Sequence, residues 1–146
     1  RGIVGQINTS DFSKYWGIYI LSDYTVRLDY NIGSGPAVTT VAGTVPNDSW
    51  TYVTFAMDAT NCITYINGSP ITSNSRFNLL DINIELGIGR LHNGYVYRWH
   101  SGSIKDLMIW KGRALSQPEI KLLMELTNPN TGREFELLYP GQRSVE

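Results

Sequence analysis

Turn-forming residues interrupt this 146-residue chain so often that only one segment keeps helical spacing over a useful length. Between the interruptions lie short runs rich in β-branched and aromatic residues. Thr25-Val26-Arg27-Leu28-Asp29-Tyr30 alternates polar and apolar positions, the period-two signature of a half-buried strand. Tyr15–Ile20 precedes it across Ser22-Asp23, and Ala37–Ala42 follows a Gly/Ser/Pro loop. Ser49–Met57 and Cys62–Ile66 form a second pair, and the latter ends at Asn67-Gly68. That dipeptide supplies the positive φ angles of a type I′ turn, so Pro70-Ile71 begins a returning strand. Further strands are expected at Ile84–Gly89, Tyr95–Trp99 and Ile104–Trp110, with a long loop through Asn93-Gly94.

The exception begins at Ser116-Gln117-Pro118-Glu119, a capping box with proline in the first helical turn. Ile120, Leu123 and Leu126 then share one helical face beside Leu122, and Asn128-Pro129 stops the helix near Thr127. Many strands and one late helix imply an all-β, antiparallel two-sheet sandwich closed by a short C-terminal α-helix. The length suits a single core. The sandwich is expected over 1–127, with 128–146 as a tail whose Phe135, Leu137, Leu138 and Tyr139 dock on the domain or on a neighbour.

Composition excludes several functions. With a formal net charge of −1 and its 12 basic residues scattered, the chain has no footprint for nucleic acid. No apolar run approaches the roughly 20 residues of a membrane-spanning helix, so no membrane insertion is expected. Cys62 is the single cysteine and reads as a small packed hydrophobe rather than half of an internal disulfide. His92 and His100 lack a third nitrogen, sulfur or clustered carboxylate, so they do not make a zinc site. The sequons at Asn8, Asn47 and Asn67 carry little weight in an Asn- and Thr-rich chain.

Three ordered stretches carry a family resemblance. They are Trp50-Thr51-Tyr52-Val53-Thr54-Phe55 with Asp58, then Ile63-Thr64-Tyr65-Ile66-Asn67-Gly68, then a composite of Leu86–Gly89, Gly102–Trp110 and Arg113–Ile120. In this order they resemble the laminin-G-like jelly-roll branch of the concanavalin A-like lectin/glucanase superfamily, across about Gly2–Leu126. Lys105 departs from an acidic position of the pattern, which Asp106 keeps. The family's usual first strand has no counterpart, so the resemblance implies that a preceding segment or another protein chain completes the sandwich.

The superfamily contains glycoside hydrolases, which need two carboxyl groups about 5 Å apart if they retain configuration. Their Glu-x-Asp-x-x-Glu strand is absent, so a non-enzymatic role is expected. The resemblance implies recognition of a glycan or glycoprotein, or adhesion, within a larger extracellular or particle-surface protein. The alternative is an assembly module decorating a virus or phage particle or another multimeric surface shell. His92, Asn93, Tyr95, Tyr97, Arg98 and Trp99 form the densest group of aromatic and polar residues and are the candidate carbohydrate site. Tyr95, Tyr97 and Trp99 alternate and share one face, with Arg98 between them suggesting that this face points at least partly inward. No cofactor is required. For calcium, which the resemblance admits, Asp23, Asp48 and Asp58 are the weak candidates, and Asp81 also sits at a turn. The competing role of each is to bond its own turn backbone.

Overall fold

A computed structural model describes residues 1–7, 14–32, 38–75, 86–92, 97–110 and 112–128. The strands are β1 (Gly2–Ile7), β2 (Lys14–Ile20), β3 (Thr25–Ile32), β4 (Val38–Thr44), β5 (Val53–Met57), β6 (Asn61–Ile66), β7 (Ser69–Ser75), β8 (Gly87–Ile88), β9 (Arg90–His92) and β10 (Tyr97–Trp99), followed by the helix α1 (Gln117–Thr127). They make a five-stranded sheet in the order β4-β3-β2-β1-β8, a three-stranded sheet β5-β6-β7 and a two-stranded hairpin β9-β10. Among the described residues every pairing is antiparallel. The mostly β architecture with two main sheets and one short helix is the expected sandwich.

Register decides what each face buries. β2 and β3 pair Trp16 with Tyr30, Ile18 with Leu28 and Ile20 with Val26, which puts their apolar side chains on one side of the large sheet. Val26 is fully buried and Leu28 nearly so. They pack with Val53, Phe55, Met57, Cys62 and Ile66 from the small sheet. Alternation along β6 turns Ile63 and Tyr65 the other way, where they meet Ala56, Leu115, Ile120 and Leu123. The small sheet is therefore the middle layer, with the large sheet on one face and α1 on the other. Burial pushes the Cys62 thiol up to about 11, assisted by the Asp58 carboxylate, and this inert thiol matches its expected packing role. Thr64 is also fully buried, and its Oγ1 has no hydrogen-bond partner.

Local signals placed the joints. Asn67 and Gly68 adopt φ of 49° and 71°, the geometry of the expected turn, and join β6 to β7. Asn67 also closes the hairpin's far side: Tyr52 N–H donates to its Oδ1 at 2.9 Å. At α1, Glu119 accepts from the Ser116 N–H and hydroxyl, both at 2.8 Å, and from Arg113 at 2.7 Å. These bonds, led by the Ser116 N–H, hold the Glu119 carboxyl at about 2. The capping box forms and the helix ends at Thr127 as its sequence implies.

Three expectations are revised. The Ser49–Met57 segment becomes regular strand only from Val53. Arg90–His92, read as part of a loop, is strand β9. Residues 104–110, expected to close the strand set, join no ladder. Asp106 at φ 52° breaks the extended path, and Leu107, Ile109 and Trp110 are left exposed. The expected tail docking falls on 129–146, outside the described residues.

Candidate functional site

The β9-β10 hairpin carries part of the expected aromatic cluster. Its register places Trp99 opposite Arg90, Arg98 opposite Leu91 and Tyr97 opposite His92. Gly89 bends the chain between β8 and β9 at φ 69°, a conformation that suits glycine and turns the hairpin out of the β1-β8 ladder. Two backbone bonds fix that bend: Gly89 N–H donates to the Ile3 carbonyl at 2.7 Å, and His100 N–H donates to the Gly89 carbonyl at 2.8 Å.

Trp99 is 60% exposed. The Arg90 guanidinium carbon lies 5.0 Å from the centroid of its ring, within cation–π range. The cation backs one face of the indole, while the exposure leaves much of the remaining surface to water. At this position the aromatic face points outward, against the inward tilt suggested by Arg98. Beside it His100 is partly buried, and its Nδ1 has no hydrogen-bond partner. The structure thus adds Arg90 and His100 to the neighbourhood of Trp99. Arg90 opens the same stretch of sequence but is not among the candidate site residues, because it joins Trp99 across strands rather than along one. Of the other candidate residues, His92, Tyr97 and Arg98 are placed by backbone register, and Asn93 and Tyr95 lie outside the described residues.

The candidate calcium ligands stand in three separate turns. Asp23 Oδ1 accepts the Thr25 N–H at 3.0 Å, and this bond draws its carboxyl below the usual range. Asp58 Oδ1 accepts the N–H groups of Thr60 and Asn61, both at 2.7 Å, with the same effect and the Thr60 bond the larger cause. Asp48, at φ 56°, accepts from the Asn47 side-chain amide at 3.2 Å. Asp23 and Asp58 thus bond the backbone of their own turns, and Asp48 bonds a neighbouring side chain. Among the described residues no three His, Cys, Asp or Glu side chains group as metal ligands, and Asp81 lies outside them. Elsewhere Asp29 pairs with Arg27 at 2.6 Å and Asp106 with Lys105 at 3.7 Å.

The sequence matches the profile of a known family. Its profile, that of the concanavalin A-like lectin/glucanases superfamily in its laminin G form, matches residues 2–121, and the chain belongs to this superfamily. No curated protein matches the chain. Among solved structures it is similar to an S-layer domain-containing protein (residues 221–444) from Clostridium thermocellum, with 24% identity and a TM-score of 0.48. That alignment covers 84% of this chain and 62% of the other. Among the described residues no helix is long and apolar enough to cross a membrane.

Proposed function

We propose that this domain is a non-catalytic carbohydrate-recognition or adhesion module of a larger extracellular or particle-surface protein, and that Trp99 is its sugar-stacking platform. The observation that carries the reading is the 60% exposure of Trp99 with Arg90 packed against its ring. A large exposed indole exposes apolar area that water solvates poorly, and a pyranose offers a matching apolar face. Arg90 holds the ring by cation–π attraction and brings N–H donors to the same place, where a sugar's hydroxyl oxygens accept. Membership of the superfamily supports a recognition role, but the fold alone does not choose a ligand. The reading needs no cofactor, and the missing Glu-x-Asp-x-x-Glu pattern supports binding without hydrolysis.

A glycan array probed with the wild-type domain and Trp99→Ala tests it. The wild type retains a defined subset of glycans, and the variant, with an unchanged circular dichroism spectrum, loses them. A folded wild type that retains none, or a variant with the same pattern, overturns the reading.

A further inference from the structure

Charge is unevenly spread along this chain. Residues 86–104 run through β8, β9 and β10 and hold Arg90, Arg98 and both histidines, His92 and His100, but no aspartate or glutamate. The rest of the chain holds all 13 acidic residues and 10 of the 12 basic ones. With histidine neutral, the hairpin region therefore carries a formal charge of +2 and the remainder −3. A positive stretch in an otherwise negative chain draws anionic ligands to one place.

That place coincides with the indole platform. The β9-β10 register sets Arg90 opposite Trp99, both side chains are exposed, and the guanidinium carbon stands 5.0 Å from the ring centroid. A cation–π contact draws on the charge of the guanidinium, whose five N–H donors serve several partners at once. The group that steadies the ring is therefore also fitted to a carboxylate, which its planar fork meets with two parallel hydrogen bonds. In open water such an ion pair contributes little, because solvent screens it. A sugar ring laid on Trp99 displaces water beside Arg90, so a carboxylate carried by that ring pairs more strongly than a free one. Two arginines suit one acid group. They do not make the extended basic surface that a polyanion requires.

We infer that the sugar taken at Trp99 is an acidic one, a uronic or sialic type of residue whose ring stacks on the indole and whose carboxylate pairs with Arg90. This rests on the stacking role proposed above and adds the chemical class of the ligand. Arg90 is then the residue that sets specificity, and Trp99 supplies affinity for acidic and neutral rings alike.

An array of matched glycan pairs tests the assignment. Each sialylated glycan is printed beside its asialo parent, and each uronate-terminated glycan beside its methyl ester, so that the two acid types are told apart. The wild-type chain retains acidic members at least about tenfold more strongly than their uncharged partners. Arg90→Gln removes that preference, and Arg90→Lys keeps part of it, since the charge remains while the fork is lost. Unchanged circular dichroism spectra show that both variants fold. Equal retention of acidic and uncharged partners overturns the inference, as does an acid preference that survives Arg90→Gln. In either case Trp99-dependent retention leaves the stacking role standing. A folded wild type that retains no glycan overturns both.

Discussion

Two regions of the molecule behave as opposites. Around the Asn67-Gly68 turn, α1 and Leu115, apolar side chains are interlocked, and Ile120 is fully buried. Gln117 Nε2 donates to the Gly68 carbonyl at 3.1 Å, so the turn and the helix brace each other. At Trp99, Leu107, Ile109 and Trp110, large apolar side chains are instead left facing water, with Trp99 and Ile109 both at least 60% exposed. The difference is not hydrophobicity. It is whether a partner surface meets the apolar face, because burial, and not apolar character alone, supplies the stabilisation.

This comparison makes graded demands on mutants. Ile120→Ala should cost the most, about 2–5 kcal/mol, since a buried isoleucine leaves a cavity between helix and sheet. Chemical denaturation reads this, and a loss below 1 kcal/mol would break the claim that this end is tightly packed. Gly68→Ala should cost about 1–2 kcal/mol, because a non-glycine residue at positive φ is strained. The added methyl would also stand 2.8 Å from Lys121 Cγ, so the flexible lysine stem must move as well.

Smaller effects follow from single polar groups. Ser116→Ala should cost about 1 kcal/mol at neutral pH through loss of the cap. Part of that cost depends on pH. The Glu119 carboxyl lies at about 2 in the folded chain, below the ordinary glutamate value. Its contribution is complete above the ordinary value and disappears as pH falls through about 2. Thermal melts of Glu119→Gln and wild type should therefore differ at pH 7 and converge towards pH 2. Thr64→Val should add about 1 kcal/mol, since it replaces a buried hydroxyl that lacks a partner with a methyl of similar shape. Trp99→Ala sits at the bottom of the scale, within about 0.5 kcal/mol, because the side chain contributes little burial. A large loss of stability there would make Trp99 a structural residue and remove the contrast.

The same contrast explains what could be read from the sequence. Asn67-Gly68 and Ser116-x-x-Glu119 each fix a few neighbouring residues, and both formed as read. β7 carries Ser-Pro-Ile-Thr-Ser-Asn-Ser, with no apolar alternation, and only the turn ahead of it announced a returning strand. Residues 104–110 gave the opposite error. Their apolar run looked like a strand, yet a ladder needs a neighbouring edge, and local composition does not report one. At the site, alternation placed Trp99 on one face with Tyr97 but could not say which face meets water. Arg90 became visible only through the β9-β10 register.

Calorimetric titration of the domain with the best glycan from an array tests the central claim most directly. The account predicts saturable binding by the wild type and at least tenfold weaker binding by Trp99→Ala, about 1.4 kcal/mol, at unchanged stability. Wild-type affinity retained by Trp99→Ala would contradict it.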